Sequence, residues 1–95
     1  MKSIRFDIEK NLKANYGISH EEYDAILTKQ KGGCAICADK WIEGTKYFAV
    51  DHDHNTGLVR GILCGSCNIA LGLLKDDKAI IIQMLTYINK KVSIL

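Results

Sequence analysis

With 95 residues, 25% of them charged, and a formal net charge of +2, the chain has room for one domain and no more. Its thirteen Lys and Arg residues are spread along the sequence, which excludes a polybasic tail and leaves any basic face to be assembled by folding. Arg5, Asp7, Glu9 and Lys10 interrupt any apolar signal region, and apolar runs such as residues 79–82 are too short to cross a bilayer; a cytoplasmic protein without membrane contact is the expectation.

Ile4, Ile8 and Leu12 recur at helical spacing and predict a first helix over residues 3–14, broken by Tyr16-Gly17. Ser19 followed by Glu22 is a capping-box signature. The helix that it opens, over residues 20–31, places Tyr23, Ile26 and Leu27 on one face and stops at Gly32-Gly33. Cys34-Ala-Ile-Cys37 then forms a knuckle, and residues 41–44 read as a turn anchored by Trp41. Residues 47–50 and 58–63 are strand candidates flanking an Asn55-Thr56-Gly57 turn. From Ser66 or Cys67 onward, Ile69, Ala70, Leu73 and Leu74 return to helical spacing. Asp76-Asp77 can cap a last helix, over residues 77–92, with an apolar stripe of Ile80, Ile81, Met84, Leu85, Ile88 and Val92. No linker, repeat or proline divides the chain, so residues 1–95 read as a single α+β domain whose ββα core, about residues 31–77, is clamped at both ends by cysteines.

Cys34, Cys37, Cys64 and Cys67 match the ligand set of a closed, structural zinc site. A CxxC turn puts two sulfurs on one side of the ion, and two such turns complete a tetrahedron. Binding of this kind contributes on the order of 10 kcal/mol to folding. Two disulfides or a redox CxxC pair are the competing readings; they want a secreted chain or a βαβ context, and neither is visible.

Between the two pairs stands Asp51-His52-Asp53-His54. Asp51 offers a hard carboxylate oxygen suited to Mg²⁺ or Mn²⁺. An imidazole such as His52 can take a proton from water near neutral pH. Side chains alternate along a strand, so Asp51 and His52 share a site only where the strand ends or bends. Asn68 directly follows Cys67 and is a reasonable second oxygen ligand for the same ion. Taken alone, a histidine-rich turn is more often a solvated loop, and an Asn at a helix start is usually a cap. The flanking cysteine pairs are what favour a metal site.

Cys34-Ala-Ile-Cys37, Val50-Asp51-His52-Asp53-His54-Asn55-Thr56-Gly57 and Val59-Arg60-Gly61-Ile62-Leu63-Cys64-Gly65-Ser66-Cys67-Asn68-Ile69-Ala70-Leu71-Gly72 together resemble the recombination endonuclease VII family, phage-type nucleases of the HNH or His-Me finger group. The resemblance implies a zinc-stapled ββα-metal core with flanking helices, acting as a metal-dependent DNA endonuclease in the host cell. It implies structural zinc on the four cysteines, a catalytic Mg²⁺ or Mn²⁺ on Asp51 and Asn68, and His52 as general base. His54 matches a family position beside the active site, and Arg60 on the returning strand is placed to meet a phosphate oxygen of DNA. Lys40, Lys46 and Lys75 are further candidates for phosphate contact. Two departures stand out. The junction-resolving member carries a glutamate three positions after the asparagine, where this chain has Leu71, and it has longer C-terminal helices that intertwine two subunits. Monomer and homodimer both stay open. So do two other functions, a non-catalytic zinc module that binds DNA or protein and an RNA-cleaving nuclease.

Overall fold

The computed structural model of the chain describes residues 17–91 and Ser93. The helix expected over residues 3–14, and Val92 at the end of the last apolar stripe, lie outside the described residues. Helix α1 (His20–Lys29) begins at the expected capping box: Ser19 Oγ accepts from the Glu22 N–H at 3.1 Å, and Glu22 Oε1 accepts from the Ser19 N–H at 2.9 Å. It stops two residues short of expectation. Gln30 closes it, after which Lys31 and Gly32 take positive φ of 58° and 76° and turn the chain into the first cysteine knuckle.

Tyr23 on α1 is 1% exposed, and its hydroxyl donates to the Phe48 carbonyl at 2.8 Å, so the buried phenol is satisfied. Burial pushes its pKa above the usual tyrosine range. Strand β1 (Ala49–His52) starts later than residue 47 because its pairing ends where Ala49 meets Leu63, after which Cys64 already caps the next helix. Tyr47 packs edge-on against Tyr23 and stacks on Trp41, with ring centroids 5.1 Å apart. Trp41 is thus the anchor of its turn.

Strands β1 and β2 (Val59–Leu63) form an antiparallel hairpin in which Ala49 faces Leu63, Val50 faces Ile62, Asp51 faces Gly61 and His52 faces Val59. The register therefore skips Arg60, the extra residue of a β-bulge. The core lies between α1 and this hairpin, with Ile18, Tyr23, Val50 and Ile62 buried and Ile26, Leu27 and Val59 packed around them. Gln30 staples the two layers. Its amide nitrogen donates to the Gly33 and Ile62 carbonyls, and its amide oxygen accepts from the Ile62 N–H at 3.0 Å. Gly61 makes room for it, since a Cβ there would sit 3.0 Å from that oxygen.

Helix α2 (Gly65–Leu73) packs across β1 and β2 and completes a ββα unit whose hairpin is bracketed by the cysteine pairs. Cys64, the residue before it, is its N-cap. Lys75 and Asp76, with φ of 53° and 56°, reverse the chain into helix α3 (Lys78–Ile88), which Asp77 caps through the Ile80 N–H. None of the residues of α3 is buried, and Ile82, Leu85, Tyr87 and Ile88 stand exposed. No described helix is long and apolar enough to cross a membrane.

Candidate metal centre and active site

Two knuckles bring the four cysteines together. After α1, the Ala38 N–H bonds to the Cys34 carbonyl and the Cys34 N–H to the Asp39 carbonyl. The turn is tight enough that a Cβ on Gly33 would lie 2.7 Å from the Ala38 oxygen. On the other side, the start of α2 carries Cys64 and Cys67 one turn apart. The four thiols carry no disulfide, and their sulfurs all lie within 4.8 Å of one another.

Cys37 Sγ and Cys64 Sγ are 3.7 Å apart, close to the roughly 3.8 Å edge of a tetrahedron built with zinc–sulfur bonds of about 2.3 Å. The electrostatics point the same way. Burial pushes the Cys34 thiol up, but N–H groups of Cys37, Cys64 and Ile36 outweigh it and bring its pKa down to about 6. Burial and the neighbouring thiols push Cys67 up to about 12. Such a cluster holds a thiolate poorly at more than one position until a cation compensates the charge, and four sulfurs in this arrangement fit a closed zinc site.

The Asp-His segment divides between strand and turn. Asp51 and His52 are the last two residues of β1, and both are partly buried. Asp53 closes the hairpin: its Oδ1 accepts from the Asn55 and Thr56 N–H groups at 2.8 and 3.0 Å, and its backbone bonds to Leu58 and Gly57. Those amide donors, from Thr56 first and then Asn55, hold its carboxyl below the usual range.

Arg60, thrown out of register by the bulge, donates through Nε to Asp51 Oδ2 at 2.7 Å and through Nη2 to Asp51 Oδ1 at 3.1 Å. Nη2 also donates to Asp76 Oδ2 at 3.1 Å. His54 Nε2 lies 3.4 Å from that same oxygen. The bonds to Asp51, then Asp76, raise the guanidinium pKa further above its already high value. Asp51, Arg60, Asp76 and His54 therefore form one chain of charge beside the hairpin tip. It borders a cavity of about 220 Å³ lined by Asp53, His54, Asn55, Arg60, Lys75, Asp76 and Lys78.

Asn68 stands in the first turn of α2, exposed, and shares a second cavity with Ala49, Lys46 and Ile69. Ala49 lies two residues before Asp51 on the same strand. Lys40 has a different partner, donating to the Lys31 carbonyl across the first knuckle. Asp51 supplies hard oxygens of the kind that magnesium or manganese takes, and Arg60 already occupies both of them with positive charge.

Two pairings around the hairpin were not legible from the sequence. Asp76-Asp77 was expected to cap the last helix; Asp77 does so, while Asp76 turns back to Arg60. Two adjacent aspartates compete for one cap, and that doubling was the available signal. The partnership of Arg60 with Asp51 follows from the bulge, which no periodicity announces.

Comparison with known proteins places this chain in a lineage. Residues 9–90 match the family described as recombination endonuclease VII. The Gene 59 protein of Mycobacterium phage D29 is 42% identical over 83 residues, covering 86% of this chain and 50% of that protein. The Gene 59 protein of Mycobacterium phage L5 is 45% identical over 69 residues, covering 72% of this chain and 42% of that protein. The chain thus spans half or less of the length of these relatives. With a match running from before α1 to beyond α3 and taking in both cysteine pairs, the chain belongs to the recombination endonuclease VII family.

Proposed function

We propose that the chain is a metal-dependent DNA endonuclease of the HNH or His-Me finger type, hydrolysing phosphodiester bonds at the end of β1. What supports this reading, beside the family, is where the candidate residues stand: Asp51 and His52 end a strand at a bulge, and the four-thiol cluster holds the start of the helix that carries Asn68. Zinc on Cys34, Cys37, Cys64 and Cys67 would serve the frame alone, because a closed tetrahedron keeps no position for substrate. Asp51 and Asn68 would hold a magnesium or manganese ion. Bound there, such an ion would supply Lewis-acid stabilisation of the charge that develops on the phosphate.

His52 takes a proton from water as the water oxygen attacks phosphorus in line. The bond to the 3′ oxygen breaks, that oxygen gains a proton, and the products are a 5′-phosphate and a 3′-hydroxyl. Arg60 and His54 would meet phosphate oxygens once DNA is bound, with lysines such as Lys46 and Lys75 adding to the contact. Such contacts position the backbone and carry little sequence information, so weak sequence preference is expected. The whole site acts in the host cell on DNA made accessible there.

One observation favours a second reading. Arg60 satisfies both oxygens of Asp51, as it would in a purely structural ion pair of a non-catalytic zinc module. Nicking of supercoiled plasmid separates the two. Wild type is expected to nick in Mg²⁺ or Mn²⁺ and to stop in EDTA, and His52→Ala is expected to lose at least about 100-fold in rate. Binding of DNA by both proteins with no cutting in any divalent ion would establish the module instead. Preferential digestion of RNA in a parallel reaction would reassign the substrate.

A further inference from the structure

Asp76 has no part in the family-implied site, and it is not the cap of α3. Its backbone lies in the left-handed region at φ 56°, directly after Lys75 at 53°. Two consecutive non-glycine residues there are uncommon, and each costs conformational free energy that the surroundings must offset. The turn aims the Asp76 carboxylate back across the hairpin, where one oxygen receives Arg60 Nη2 at 3.1 Å and stands 3.4 Å from His54 Nε2. Its side chain is 22% exposed, and that of Asp51 is 14% exposed.

Arg60 therefore has two carboxylates within reach, and Asp51 is the one that a divalent ion needs. An ion on Asp51 would repel the guanidinium bonded to the same carboxylate and weaken both of those bonds. Without a second acceptor the guanidinium would compete for Asp51 or swing into solvent, where it could no longer meet a phosphate. We infer that Asp76 is a positioning residue: its carboxylate retains Arg60, with His54, beside the centre when a divalent ion takes Asp51. This rests on the nuclease reading above. Asp76 itself touches neither ion nor substrate; it acts through Arg60 and His54.

The test uses the zinc-loaded full chain. Mn²⁺ binding is followed without DNA by electron paramagnetic resonance of the free ion, in wild type, Asp76→Asn, Arg60→Met and the double variant. Asparagine tolerates the left-handed backbone, so Asp76→Asn is expected to keep the fold and the zinc. Its Mn²⁺ affinity is expected to fall about tenfold, the scale of one charge-assisted contact. Arg60→Met should tighten Mn²⁺ binding, and by more in the Asp76→Asn background than in wild type, because Arg60 competes hardest where its second acceptor is gone. At saturating Mn²⁺, Asp76→Asn should raise KM for duplex DNA more than it lowers kcat, and Asp76→Glu should recover part of the loss. Asp77→Asn, which keeps a capping side chain on α3, should match wild type throughout.

Additive effects of the two substitutions on Mn²⁺ binding would overturn the proposal, as would an Asp76→Asn protein that binds Mn²⁺ and cuts like wild type. Either result leaves the nuclease reading intact. A wild type that neither binds Mn²⁺ nor cuts would remove both.

Discussion

Asp51 and Asp53 sit two residues apart and have different surroundings. Asp51 meets a guanidinium, whereas Asp53 spends its Oδ1 on two backbone N–H groups of its own turn. The second arrangement is architectural, an Asx-type closure that an amide oxygen can reproduce. Asp53→Asn is therefore expected to lower the melting temperature at neutral pH slightly, by the share that the charge supplies, and Asp53→Ala to lower it further. The pH dependence follows from the depressed carboxyl. A group whose folded pKa lies below its unfolded value, about 3.9 for Asp, stabilises fully above that value and loses its contribution as pH falls through the folded pKa. Thermal melts between pH 7 and pH 2 should show a shallower acid decline for Asp53→Asn than for wild type; identical slopes would show that Asp53 contributes nothing through its charge. The Asp-His string was visible as a cluster in the sequence. Its division into strand end and turn was not, because alternation cannot show where a ladder stops.

At the level of elements, the residue that caps α1 also ties it to the hairpin. Gln30 supplies both a donor and an acceptor to Ile62, a residue 32 positions away, so it acts on β2 as a neighbouring strand would. Gln30→Ala would leave the Ile62 N–H and C=O without these partners. A loss of about 1–3 kcal/mol in unfolding free energy is expected in denaturant titrations. An unchanged midpoint would mean that water replaces the amide at no cost. The capping box at Ser19 and Glu22 was readable because its partners are three residues apart. The Gln30 clamp, the late start of β1 and the bulge at Arg60 were not, since each depends on a partner distant in sequence. The order strand, strand, helix was legible from cysteine spacing and turn residues. What remained hidden is how the bulge delivers Arg60 to Asp51.

On the scale of the molecule, a small apolar core joins α1 to the hairpin, and the thiol cluster joins the first knuckle to α2. The apolar residues of α3 add little to either, being exposed along the helix. The sequence showed that stripe clearly but not whether it covers the core, because periodicity locates a face and not its partner. In the proposed nuclease, sulfur holds this frame together while oxygen and imidazole carry the chemistry. The most direct test is plasmid cleavage in Mg²⁺ by Asp51→Ala at measured zinc content, with Cys64→Ser beside it. Asp51→Ala is expected to hold one zinc per chain, melt like wild type and cut nothing, while Cys64→Ser loses zinc and fold together. Undiminished cutting by Asp51→Ala, or loss of zinc and fold in that variant, would contradict the division.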